Sequence, residues 1–279
     1  MTRYPEVTSM GIWSMGGGWP GAAALVLGGL GVLLGSPQRG DGEGEGALAG
    51  QPAGPIEITW LGHAAFFIVS PGGTRLLIDP WLKGNPVTPD SLQDGSRYHA
   101  NFVLVTHSHG DHSADAKAIA LATGAAVVGI YDWVGSLGLP DKQVLGGNVG
   151  GTIKAGDVVI HLVPAMHSST PDGRPIGFVL EFAGGRTLYD TGDTWIFGDM
   201  ALIQELYHPT IVLLNVGGGP YTEDPRTAAL AIKKYFQPEV IVPMHYGTFP
   251  SLAQEADVRA AFAGDRRLRM LKIGERTTL

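Results

Sequence analysis

The sequence predicts an α/β fold, a four-layer αββα sandwich in which two mixed sheets face each other with helices outside. Three observations carry that reading. Strand-like runs pair across tight turns, as at Ala65–Val69 and Thr74–Ile78 around Pro71-Gly72-Gly73. Strands also alternate with helical stretches, as from Phe102–Val105 through a helix to Ala126–Ile130. The same combination then recurs. A β-rich middle (Val158–Val163, Ile176–Phe182, Arg186–Tyr189) is followed by Ile211–Leu214, a helical stretch and Val240–Val242. With 279 residues, 44% of them hydrophobic and 16% charged, the chain suits one large globular domain or a compact two-lobed one.

The folded domain is expected over 56–279. Ile56-Glu57-Ile58-Thr59-Trp60 alternates like a half-buried strand, and Leu61-Gly62-His63 forms the connection after it. Asp79-Pro80 ends the third strand, and the polar, proline-rich segment Gly84–Ser96 leads to Phe102–Val105. Ser113 is placed to cap a helix running to about Thr123, with Gly124 closing it. A short helix is expected around Asp132–Leu137 and another over Asp199–Tyr207. Asp224–Phe236 carries apolar residues at Ala228, Ala231, Ile232 and Tyr235, which is helical spacing, and Ser251–Phe262 is the last clear helix.

Residues 1–55 differ from the rest. There is no charged residue from Met10 to Ser36, and Gly21–Gly35 is apolar or glycine throughout. As a helix that core would span roughly 22 Å, against roughly 30 Å of bilayer hydrocarbon. The short apolar run after Arg3, with Ala47-Leu48-Ala49 as a small-residue cleavage site, reads as a signal peptide or N-terminal anchor ahead of a disordered cytosolic extension. This reading favours an exported or membrane-anchored protein over a cytoplasmic one, with residues 10–36 as the membrane-associating segment. Gly40–Gly46 (GDGEGEG) follows as a flexible acidic linker.

Composition narrows the chemistry. The net charge of −7 argues against nucleic acid as the main partner and leaves a small-molecule substrate, a phosphorylated one held by metal ions included. The absence of cysteine excludes disulfides, thiolate ligands and a cysteine nucleophile. What remains conspicuous is Thr106-His107-Ser108-His109-Gly110-Asp111-His112, directly after the Phe102–Val105 strand. Four metal-competent side chains fall within that turn. Imidazole and carboxylate suit a borderline cation such as Zn²⁺, and a loop after a rigid strand can aim them inward. Three more donors of the same kind follow strand-like runs: His167, Asp193 and His245.

The order His-x-His-x-Asp-His, a lone His, Gly-Asp-Thr and a lone His resembles the metallo-β-lactamase superfamily, from Ile56 to the C-terminus. Smaller blocks are similar to one branch of it. They are Leu61-Gly62-His63-Ala64, Leu77-Ile78-Asp79-Pro80, Ala165-Met166-His167-Ser168-Ser169, Phe197-Gly198-Asp199-Met200 and Pro243-Met244-His245-Tyr246. That branch holds metal-dependent hydrolases related to ascorbate-6-phosphate lactonase and N-acylphosphatidylethanolamine phospholipase D.

The resemblance implies the metallo-β-lactamase fold and two divalent metal ions, Zn²⁺ first and Mn²⁺ second. His107, His109 and His167 would hold one, Asp111, His112 and His245 the other, and Asp193 would bridge them. Asp190 stands where the branch often has His, which makes it a rival to Asp193; the Gly-Asp spacing favours Asp193. The Asn215–Pro225 loop departs from the branch and is slightly longer.

The implied activity is hydrolysis, a metal-bridging hydroxide attacking a small ester, lactone or phosphodiester. Asp111 would also orient the nucleophile and accept its proton, and His63 would steady a developing oxyanion, with a packed turn histidine as the equal alternative. Asp79 would brace the ligand loop through hydrogen bonds. Other readings are a non-catalytic metal-binding protein, an RNA-processing nuclease and a flavodiiron oxygen reductase. Against the first, all seven donor positions are filled. The 25 residues between His167 and Asp193 leave no room for an inserted nucleic-acid clamp. The reductase would have Glu at the position of His109. His99, His161 and His208 lack ligand spacing.

Overall fold

The computed structural model describes residues 54–170 and 173–279. The apolar N-terminal tract, and its reading as signal peptide or anchor, falls outside the described residues.

The first sheet has seven strands. At one edge lie β1 (Glu57–Gly62), β2 (Ala65–Val69) and β3 (Arg75–Ile78), a meander of antiparallel neighbours. From β3 the pairing turns parallel through β4 (Phe102–Leu104), β5 (Ala126–Ile130) and β6 (Val144–Gly147). The second sheet has six strands. Its antiparallel half is β7 (Thr152–Ala155), β8 (Val158–Pro164), β9 (Ile176–Glu181) and β10 (Thr187–Asp190). Its parallel half continues through β11 (Ile211–Asn215) to β12 (Val240–Met244). Each sheet is therefore part hairpin and part crossover, as the recurring sequence pattern predicts. Every residue of β10 and β11 is buried, so β11 reads as a continuous apolar run ended by Asn215 rather than as an alternation. Pro243 is tolerated within β12 because that strand is an edge.

A last strand, β13 (Arg276–Thr278), pairs with β1, and Ile56 and Leu279 exchange both backbone hydrogen bonds, at 3.1 and 2.9 Å. Three strands escape the sequence reading, β6, β7 and β13. They are short, only partly buried, and composed of residues such as Gly-Gly and Arg-Thr-Thr that carry little strand signal. One continuous core joins the two sheets, with Phe66, Leu76, Phe178, Leu180 and Leu213 fully buried. Truncating a side chain such as Phe178 to alanine costs about 3–5 kcal/mol.

Among the described residues the helices are α1 (Gly110–Ser113), α2 (Ala116–Thr123), α3 (Tyr131–Ser136), α4 (Met200–Tyr207), α5 (Pro225–Tyr235) and α6 (Glu255–Ala261). The helix expected from Ser113 to Thr123 starts only at Ala116, and the short α1 precedes it. Ser113 does not cap it, because its hydroxyl donates back to the Ser108 and His109 carbonyls at 3.1 and 3.0 Å. Gly124 does close α2, with φ 77. The final helix starts at Glu255, later than expected, because a reciprocal capping box of Gln254 and Asp257 fixes its first turn.

Candidate metal centre

The residues singled out in the sequence sit at one end of both sheets. His63 follows β1, Asp79 follows β3 and His107–His112 follow β4, all from the first sheet. His167 follows β8, Asp193 follows β10 and His245 follows β12, from the second.

Asp79 ties the first group together. Its Oδ1 accepts the Thr106 backbone N–H at 2.8 Å, and Oδ2 accepts the Thr106 hydroxyl at 2.7 Å. Oδ2 also lies 2.7 Å from His112 Nδ1, which turns Nε2 of that ring toward Asp193 Oδ2, 3.4 Å away. Burial disfavours charge on His112, but Asp193 and Asp79 outweigh it and hold the imidazole well above its ordinary pKa. In the loop itself, His107 Nε2 and His109 Nδ1 approach to 2.9 Å.

Asp193 is the pivot of the second group. Its Oδ2 faces three imidazole nitrogens, Nε2 of His245 at 3.2 Å, of His112 at 3.4 Å and of His167 at 3.5 Å. Its Oδ1 accepts the Asn215 amide at 2.7 Å. Asn215 Oδ1 in turn accepts the Gly217 N–H and the Thr222 hydroxyl, each at 2.9 Å. One carboxylate oxygen is thus anchored and the other left to the histidines. Burial would raise the Asp193 pKa, but His245 and His112 outweigh it and hold the carboxyl well below its usual range. Asp190 is fully buried nearby, yet it does not join the converging donors. Its Oδ1 accepts the Gly192 N–H at 3.0 Å, and burial, with the Asp79 charge, pushes it up to about 8.

His63 and His245 complete the centre from opposite sheets, their ring centroids 3.7 Å apart. The His63 carbonyl accepts the Trp60 indole N–H at 2.9 Å and the His245 backbone N–H at 3.0 Å. His63 Nε2 lies 3.2 Å from Asp111 Oδ2 and Nδ1 2.8 Å from the Thr248 hydroxyl. Burial and the neighbouring His245 lower the His63 pKa to about 4, so this ring is neutral at pH 7. An ionised carboxylate can only accept, so Nε2 carries the proton and Nδ1 accepts from Thr248. Burial tends to raise the Asp111 pKa, but the neighbouring imidazoles of His245 and His63 bring it well below the usual carboxylate value. For His245, burial is outweighed by Asp193 and Asp111, and the pKa rises to about 9.

His63, Asp79 and His245 are all left-handed, with φ 53, 42 and 66. Side chains other than glycine resist that conformation, and such strain, about 1–3 kcal/mol each, collects at functional sites. Glycine is required beside them at Gly217, where a Cβ would collide with the His245 ring.

The donors fall into three overlapping groups: His63, Asp111, His112 and His245; His107, His109 and His167; and His107, His112 and Asp193. Within each, one ligand atom per residue lies within 4.8 Å of all the others. Donors about 2.0–2.2 Å from a shared Zn²⁺ are spaced comparably. His112 Nε2 and His245 Nε2 are buried without a hydrogen-bond partner, an expense that a cation would remove. The donor set therefore fits divalent metal. A cavity of about 320 Å³ opens onto it, lined in part by His63, His109, Asp111, His167, Asp193 and His245.

Sequence reading missed three supports of the centre. Asn215 shows the same signal as the donors, a polar residue ending an apolar strand. Thr106 and Thr248 show none, since a hydroxyl in a loop is ordinary. His161 pairs with Glu181 at 3.1 Å, while His99 and His208 end short helical turns; none of the three joins a donor group.

Residues 57–245 match the family model described as the beta-lactamase superfamily domain. A UPF0173 metal-dependent hydrolase of Anaeromyxobacter dehalogenans is 43% identical over 238 residues, covering 80% of this chain and 86% of the relative. Another, from Pyrobaculum islandicum, is 45% identical over 206 residues, covering 72% and 89%. Among solved structures, the metallo hydrolase Igni18 of Ignicoccus hospitalis superposes with TM-score 0.72 at 37% identity, covering 81% of this chain and 99% of that one. The metallo-beta-lactamase fold protein YhfI of Bacillus subtilis (TM-score 0.64, 14% identity, covering 81% and 100%) shows the same fold.

These findings overturn the exported or membrane-anchored location expected from the N-terminal tract. Bacterial and archaeal relatives named as metal-dependent hydrolases are matched over 86% and 89% of their own lengths. Among the described residues no helix is long and apolar enough to cross a membrane. The physical weakness of the expectation lies in the tract, whose glycine-broken apolar core is too short to span hydrocarbon as a helix.

Proposed function

The chain belongs to the metallo-β-lactamase superfamily, as a metal-dependent hydrolase of that fold, and on that premise we propose that it holds two divalent cations and hydrolyses a small ester, lactone or phosphodiester. The observation that carries the two-ion reading is Asp193 Oδ2, which three histidines approach from both sides while Oδ1 is tied to Asn215. His107, His109 and His167 would hold one ion, and Asp111, His112 and His245 the other, with Asp193 shared. Zn²⁺ is the first choice for such donors and Mn²⁺ the second. Bound there, the ions would supply a water acidified toward neutral pH and a polarised scissile oxygen.

The chain's own groups then divide the remaining work. Asp111, accepting from His63, orients the attacking water through its carboxylate and receives the proton in passing. Its lowered pKa suits orientation more than storage of that proton. His63, neutral and held between Thr248 and Asp111, positions Asp111 first; to steady an oxyanion its Nε2–H would have to turn from Asp111 to the substrate. Asp79 and Asn215 keep His112 and Asp193 in register. The acidic chain and small cavity fit a small-molecule substrate and no nucleic acid.

Metal analysis coupled to a panel of esters, lactones, thioesters and phosphodiesters tests the reading. Two equivalents of metal per chain are expected, and His112→Ala and Asp193→Ala should each abolish hydrolysis and lower metal content. Wild-type hydrolysis that survives complete metal removal would overturn it.

A further inference from the structure

Beside the metal donors the pocket lining is apolar at Pro220, Tyr221, Phe249 and Leu252. The proposed chemistry does not require such a wall. Tyr221 and Phe249 remain 58% and 40% exposed, large apolar faces left open at the mouth of a cavity that holds reactive groups. The wall is also preformed. Phe249 stacks on Trp81 with centroids 6.0 Å apart and planes 23° apart, and Trp81 meets His63 edge-on at 5.4 Å. The turn carrying Phe249 and Leu252 is bound at both ends, Gly247 N–H to the Ala253 carbonyl at 2.9 Å and Ala253 N–H to the Gly217 carbonyl at 2.8 Å.

Charge gives an independent indication. Among the described residues no lysine or arginine lines this pocket, and the histidines and aspartates that line it are the proposed metal donors, so its apolar side offers no cationic partner. A phosphate or carboxylate group on a substrate, away from the reacting centre, would lose water there and gain no counter-charge. We infer that the pocket takes an uncharged ester or lactone whose acyl or alkyl part is apolar and lies against Tyr221, Phe249 and Leu252, in preference to phosphorylated substrates.

The inference rests on the hydrolytic reading above, and one experiment separates their failures. The full-length, metal-loaded chain is assayed on p-nitrophenyl esters from acetate to octanoate, on γ-lactones of increasing alkyl length, on bis(p-nitrophenyl) phosphate and on p-nitrophenyl phosphate. kcat/KM should rise about fourfold per added methylene until the cavity of about 320 Å³ is filled. Phe249→Ala and Tyr221→Ala, changes at exposed positions, should each reduce the octanoate-to-acetate ratio at least tenfold. Tyr221→Lys should lower that ratio and improve the relative rate on p-nitrophenyl phosphate. Saturation-transfer NMR of octan-1-ol with the metal-free chain supplies a second readout, with contact expected in the wild type and lost in Phe249→Ala. Hydrolysis that is flat or falling with chain length, or that favours either phosphate substrate over the octanoate, overturns this inference and leaves the hydrolase reading standing. No hydrolysis of any ester, lactone or phosphodiester by the loaded chain overturns both, unless the alcohol still binds against Phe249, in which case only the hydrolytic reading falls.

Discussion

Asp79 Oδ2 stands 2.7 Å from His112 Nδ1, and both side chains are fully buried. The pair joins the end of β3 to the loop after β4 and sets which nitrogen of His112 faces the donors. Carboxylates in this position behind a ligating histidine fix its ring and raise its basicity. Asp79→Asn is expected to weaken metal binding by about 10–100-fold, measured by chelator competition, with the fold retained by circular dichroism. Unchanged affinity would remove Asp79 from the centre's support.

Asn215 holds Asp193 from the other side. Asn215→Ala leaves Asp193 Oδ1, the Gly217 N–H and the Thr222 hydroxyl without their partner in a buried setting. A loss of about 1–3 kcal/mol in stability is expected. Metal content should fall with it, because the freed carboxylate can turn away from the histidines. A drop in stability at full metal content would show that Asn215 serves packing alone.

Glu223 gives a pH signature outside the centre. Its side chain is buried with both carboxylate oxygens unpartnered, and burial, with the Asp224 charge, pushes it from 4.5 up to about 8. The folded state therefore binds this proton more tightly than the unfolded chain does. Stability from this group is full below about pH 4.5 and is lost as pH rises toward 8. Glu223→Gln should flatten that decline and raise Tm at pH 8 by about 5 °C, on the order of 1–2 kcal/mol. Parallel wild-type and variant melting curves across this range would refute it.

Metal removal should also register in stability. A ligand that binds only the folded state at a hundredfold over its Kd contributes about 2.7 kcal/mol. For a domain of this size that is roughly 5–10 °C in Tm. Differential scanning calorimetry before and after chelation measures it, and the difference should vanish in Asp193→Ala.

The donors were legible because each is a residue of the right chemistry placed just after an apolar run, and strand ends are where a sheet can aim side chains at one point. His107, Asp193 and His245 lie far apart in the chain, yet that local pattern marks each. The apolar wall was not legible for the converse reason. Tyr221 and Phe249 sit in separate loops with no periodicity, and only the turn bonded to Gly217 brings them together. Ser113 misled because its local context is that of a helix cap, while its hydroxyl finds nearer acceptors in the Ser108 and His109 carbonyls. The Gly-Asp spacing favoured Asp193 over Asp190, and the structure adds the reason: Asn215 holds the one beside the histidines, while Gly192 holds the other apart.

The pairing of β13 with β1 has a consequence for how the molecule is made. The first sheet gains its outer strand only from Arg276–Thr278, far along the chain from β1, with the Ile56–Leu279 exchange beside it. The donors follow the same schedule, since His107–His112 leave the ribosome well before His245. A nascent chain carrying only the first half therefore owns part of a coordination shell and an open sheet edge. On the proposed ligand set, full coordination would have to wait until donors from both sheets are in place.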